Sequence, residues 1–113
     1  MTDTATYSAM AMQLTARSLE RLPDTAAARA AILAHIAELE AQIRTSAIFV
    51  AQYSGRPVKL AVLPEYLFTS YPGRISIPDF AARVCFAADG PEYAALGGVA
   101  ERLGMFLAGN AYE

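Results

Sequence analysis

Hydrophobic and polar positions along the chain fall into segments with two distinct periods. Tyr7 to Leu14 (YSAMAMQL) is short, apolar and partly alternating, which predicts a first strand with at least one buried face. Pro23-Asp24-Thr25 then supplies a stop followed by an N-cap, and Ile32, Ile36, Leu39, Ile43 and Val50 recur at three-, four- and seven-residue steps. That spacing predicts one long amphipathic helix, with Arg29, His35, Glu38 and Arg44 on its polar face and an end near the Ser54-Gly55-Arg56-Pro57 breaker. Val58 to Leu63 (VKLAVL), bounded by prolines, reads as a short, largely buried second strand.

Pro64 to Pro78 holds three prolines, Gly73 and several aromatics, and predicts a structured loop. Phe80 to Ala88 is a short helical pattern. Asp89-Gly90-Pro91-Glu92 caps a further helix, for which Leu96, Val99 and Leu103 supply one face before Gly104 stops it. Met105 to Asn110 (MFLAGN) completes the pattern as a third strand. The order strand, long helix, strand, loop and helices, strand predicts crossovers between mostly parallel strands, with helices on a face. The expected class is α/β, with residues 1–113 forming part of a single domain.

Composition narrows the function classes. Nine Lys+Arg against 11 Asp+Glu give a net charge of −2, so no basic excess drives nucleic-acid binding. Hydrophobic residues make up 55% and charged residues 18%, a balance that excludes disorder and is rich for so short a chain. This apolar excess predicts that the chain is part of something larger. The start, Met1-Thr2-Asp3-Thr4, lacks the basic and apolar run of a secretory signal, and charged, Gly or Pro residues interrupt every candidate membrane span. A cytoplasmic location with no membrane partner is expected. Cys85 is the only cysteine, which rules out an intrachain disulfide and a multi-Cys zinc site.

The stretch Leu60-Ala61-Val62-Leu63-Pro64-Glu65-Tyr66 carries the strongest chemical signal, because an ionisable residue directly follows a buried strand and the proline that ends it. Ligands in open α/β sheets gather outside the carboxyl ends of strands, and a carboxylate part-desolvated there suits proton transfer. The plainer alternative is that Glu65 caps a loop or pairs with Arg74. Tyr66, Phe68 and Tyr71 form an aromatic cluster beside it, read either as a substrate mouth or as loop packing.

VKLAVLPEYLFTSYP resembles the segment of the nitrilase, or carbon–nitrogen hydrolase, superfamily in which a strand runs into Pro-Glu, an aromatic and then Tyr-Pro. Pro64, Glu65, Tyr66, Tyr71 and Pro72 are the matching positions, flanked by an opening strand ending in Gln13, a long helix, and a third strand followed by Gly109 and Glu113. The resemblance spans the chain as the first portion of a longer domain. It implies an α-β-β-α sandwich hydrolase with a Glu-Lys-Cys catalytic set, in which Glu65 is the general base. No cofactor is expected, and Tyr66 and Tyr71 of the aromatic cluster are the candidate substrate-binding residues. The implied substrate is a small nitrile, amide or carbamoyl compound, and the implied partners are further chain or further copies.

The only lysine and the only cysteine do not fit that set. Lys59 precedes Glu65 by six residues on one strand, which at about 3.3 Å per residue separates them by roughly 20 Å. Cys85 sits inside a helical pattern and reads as a buried structural thiol. The chain alone is therefore expected to be inactive, with its catalytic lysine and cysteine elsewhere. His35, beside Glu38, reads as a solvated helix-face histidine without a second ligand at metal spacing, so no metal is expected. Gly97-Gly98 suggests close helix packing rather than a phosphate cradle. The competing functional class is a non-catalytic α/β interaction module using the long helix as an oligomer contact.

Overall fold

The computed structural model describes residues 5–113. The Met1-Thr2-Asp3-Thr4 start, read above against a secretory signal, lies outside them. Six elements follow one another as β1 (Ser8–Ala11), α1 (Thr25–Ser54), β2 (Val58–Val62), α2 (Ile77–Val84), α3 (Pro91–Leu103) and β3 (Phe106–Ala108). The strands form one parallel sheet in the order β1-β2-β3, which makes the fold α/β.

α1 begins where the Asp24 side chain accepts the Ala27 N–H, and ends at Gly55, whose left-handed φ of 72° lets its N–H reach the Ala51 carbonyl. Ala28, Ile32, Ile36, Leu39 and Ile43 line its buried face and form the centre of the core. The expected polar face holds for Glu38 and Arg44, which are exposed and paired with Arg17 and Glu40. It fails for His35, which is 3% exposed and packs edge-on against Phe68. The cause is nonlocal: the segment around Arg17 and Leu19 and the loop after β2 meet over this turn of the helix, with the Arg17 N–H donating to the Leu67 carbonyl.

Element ends are shorter than the apolar runs that announced them. β1 stops at Ala11 and β3 spans only three residues. α2 starts three residues earlier than expected, because Ser76 caps it by accepting the Asp79 N–H and Pro78 fits its first turn. It also ends earlier. Cys85 leaves the helix as its extended C-cap, and the next residue, Phe86, donates its N–H to the Tyr112 carbonyl. Cys85 is thus neither inside a helix nor fully buried. A Cβ at Gly97 would meet nothing, and one at Gly98 would meet only Arg102 of the same helix, so the glycine pair does not mark a close helix contact.

The two sheet faces differ sharply. Met10, Ala61 and Leu107 form a row turned toward the helices, where α1 packs on both β1 and β2 and α3 packs beside β3. The opposite rows are Ala9, Leu60 and Phe106, then Ala11, Val62 and Ala108. All six are apolar, yet Phe106 is 78% and Val62 41% exposed. Along β2, Val58 and Ala61 are buried, Leu60 is half-buried, and Lys59 and Val62 are exposed, so the expectation of a largely buried second strand holds only in part. Among the described residues no helix is long and apolar enough to cross a membrane.

Candidate functional site

β2 delivers the chain to the candidate site. Leu63, just past its end, donates its N–H to the Ala108 carbonyl and extends the pairing with β3, and Pro64 then turns the chain out of the sheet. Glu65 follows as an exposed residue at the carboxyl end of the central strand, where α/β folds collect ligands. Tyr66 adopts a left-handed φ of 57°, uncommon for a residue with a side chain. Its N–H is held by the Asn110 side-chain oxygen at 3.2 Å, so the end of β3 clamps the turn that presents Glu65.

A cavity of about 200 Å³ opens beside this turn, bordered by Glu65, Tyr66, Phe68, Phe86, Asn110 and Tyr112. Tyr66 and Tyr112 stack at 5.6 Å, and the edge of Tyr112 meets Phe80 at 5.2 Å. Burial holds the Tyr112 hydroxyl above the usual phenol range, reinforced by the neighbouring Tyr66 hydroxyl and by the negative charge of Glu65. It is therefore a protonated donor at neutral pH. A carboxylate acceptor and a phenol donor thus meet on an aromatic wall.

The structure brings Glu65 and Tyr66 to one cavity and leaves Tyr71 apart. Tyr71 is 69% exposed and does not border the cavity, while Phe68 is buried and contributes a wall. Glu65 makes no ion pair among the described residues. Among the described residues Arg74, its expected alternative partner, forms no ion pair with it, and the Arg74 backbone N–H donates to the Glu20 carboxylate. Lys59 lies toward the other end of β2, with its ammonium at 3.5 Å from the Gly104 carbonyl, in a groove of about 620 Å³ between α3 and β3 that adjoins the Glu65 cavity through Phe68, Asn110 and Ala111. No cluster of three or more His, Cys, Asp or Glu suited to a metal occurs among the described residues.

Sequence reasoning missed Asn110, Phe86 and Tyr112. Asn110 and Tyr112 follow β3 and carry no local signal for the site, since they reach the cavity only because β3 lies beside β2. Glu113 accepts a hydrogen bond from the Tyr93 hydroxyl, and this bond holds that phenol above its ordinary range. Comparison with protein-family models, with curated proteins and with solved structures finds no match for this chain.

Proposed function

We propose that the chain is the N-terminal portion of a nitrilase-like carbon–nitrogen hydrolase, with Glu65 as its general base. The observation that carries this reading is the position of Glu65, directly past the carboxyl end of the central parallel strand and on the rim of an aromatic cavity. In this scheme Glu65 accepts the proton of a cysteine thiol supplied by further chain, and the thiolate adds to the carbon of a nitrile, amide or carbamoyl group. For an amide, the carbon–nitrogen bond breaks as the leaving nitrogen takes the proton back. Water activated by the same carboxylate then cleaves the thioester to the acid. A lysine from further chain stabilises the charge that develops on the substrate oxygen or nitrogen.

Tyr66 forms part of the substrate wall and Tyr112 donates to a polar substrate atom, whereas Tyr71, which does not border the cavity, takes no part. Cys85 takes no part in this scheme, because it is not among the residues that border the Glu65 cavity. The test uses the longer polypeptide that this reading requires. It should release ammonia from small amides or nitriles and carry a thiol-bound acyl group when quenched during turnover, while the 113-residue chain should do neither. Ammonia release by the highly purified short chain, or a longer polypeptide without any thioester, would contradict the scheme.

A second reading, a non-catalytic interaction module, draws on the bare apolar rows of the sheet, since contiguous exposed apolar surface marks interfaces. It assigns no role to the Glu65 turn.

A further inference from the structure

The chain that leaves Glu65 is built as a plug between two hinges. Leu67, Phe68 and Thr69 are 1%, 5% and 4% exposed, whereas Tyr66 and Ser70 on either side reach solvent. These two flanking residues hold left-handed φ values of 57° and 58°, and among the described residues no other non-glycine does so. A residue with a side chain adopts that conformation at a cost, which the buried packing of the plug offsets. The Ser70 N–H donates to the Tyr66 carbonyl at 2.8 Å and ties the hinges together.

The plug separates two places. On one side Phe68 and Thr69 border the Glu65 cavity. On the other lies His35, whose ring centroid is 5.4 Å from that of Phe68 and whose buried Nδ1 has no hydrogen-bond partner among the described residues. A neutral imidazole can leave one nitrogen as a bare acceptor, but a charged one carries two N–H donors, and the one on Nδ1 would then be buried without an acceptor. Two charges bear on this ring: Arg17 from the segment before α1 and Glu38 from α1 itself, which pair with each other. The plug, Leu-Phe-Thr, adds none. Burial weighs most against a charged His35, Arg17 repels it, and Glu38 attracts it. Arg17 also donates its backbone N–H to the Leu67 carbonyl, which latches the plug to the segment beside the histidine.

We propose that Leu67, Phe68 and Thr69 are a proton-gated plug: a charge on His35 expels them by rotation about Tyr66 and Ser70, which removes a wall of the Glu65 cavity. In the closed state His35 is neutral. In the open state water reaches the ring, so the open population grows as pH falls through about 6.5, the ordinary histidine value. The hinges favour release, because both can return to ordinary φ once the plug leaves. Glu65 immediately precedes the first hinge, and opening therefore redirects its carboxylate as well. The cavity is complete at neutral pH and breached in acid. None of this depends on the role assigned to Glu65, and every group involved belongs to this chain.

Native-state hydrogen exchange of the 113-residue chain, read by NMR as protection factors so that the intrinsic pH dependence of exchange cancels, tests it. The Arg17 and Ser70 amides report opening, since their bonds to the Leu67 and Tyr66 carbonyls break when the plug leaves, while Leu39 and Ile43 in the middle of α1 report unfolding of the whole chain. A plug that opens by itself leaves Arg17 and Ser70 at least about 100-fold less protected than Leu39 and Ile43. Their protection should fall about tenfold from pH 7.5 to 5.5, the uptake of one proton at an open-state pKa of about 6.5. His35→Leu should abolish that fall. Protection of Arg17 and Ser70 equal to that of Leu39 and Ile43 would overturn the proposal. So would protection that does not change with pH, or an equal fall in a folded His35→Leu protein. Should His35→Leu fail to fold, His35→Gln, which also cannot titrate near neutrality, takes its place with the same readout.

Discussion

His35 is a buried histidine whose Nδ1 has no partner among the described residues. Burial holds its pKa below the ordinary value, the Arg17 charge pushes the same way, and Glu38 opposes both. The fold thus favours neutral imidazole, so its contribution is complete above the unfolded pKa of about 6.5 and is lost as pH falls below that value. Glu38 and Glu40 are also held low, by hydrogen bonds from Arg17 and Arg102, and their contributions disappear only deeper in the carboxylate range. Denaturant melts should therefore lose stability between pH 7 and about pH 5 in the wild type, and His35→Leu should flatten that slope while costing no more than about 1 kcal/mol at pH 7. Equal slopes in both proteins would contradict the assignment. Glu92 offers a second test. Its side chain is 4% exposed and pairs with Arg29, which also donates to the Cys85 carbonyl. Arg29→Ala strands the buried carboxylate and should cost about 3 kcal/mol in urea melts, whereas a loss under 1 kcal/mol would mean that solvent reaches Glu92 freely.

Helix positions were legible where periodicity is local. Ile32, Ile36, Leu39 and Ile43 announce the buried face of α1, Asp24 and Gly55 its ends, and Pro91 the start of α3, because each signal lies within a turn or two of the residue it governs. The order of elements followed from that alone. What the sequence concealed is set by distant contacts: His35 is covered by the loop after β2, α2 stops early because Phe86 pairs with Tyr112, and Tyr112 completes the Glu65 cavity from the end of the chain. At the site, Glu65 and Tyr66 were readable from the strand, the proline and the resemblance, but Asn110 was not. Its role depends on β3 lying beside β2. At this scale Ile36→Ala, which empties a fully enclosed position on α1, should cost about 2–5 kcal/mol in the same melts. A loss below 1 kcal/mol would show that α1 is not packed on the sheet.

The whole molecule measures 57 × 25 × 20 Å, with α1, about 45 Å long, running through most of that length. All its helices contribute to a core on one side of a three-stranded sheet, and the other side presents the six apolar residues centred on Leu60 and Val62 to solvent. This asymmetry leaves on one side of the sheet the kind of apolar surface that a second layer covers in sandwich folds. Phe106→Lys should accordingly raise the solubility of the isolated chain and lower its binding of a hydrophobic dye, and no change in either would mean that the face is already covered. The central claim concerns the carboxylate that the central strand delivers to the cavity rim. Its most direct test is the rate of ammonia release by the longer polypeptide before and after Glu65→Gln, a change that keeps side-chain size and removes the base. The account predicts a fall in kcat of at least about 100-fold with an unchanged melting transition. Near-normal turnover by a folded Glu65→Gln protein would contradict it.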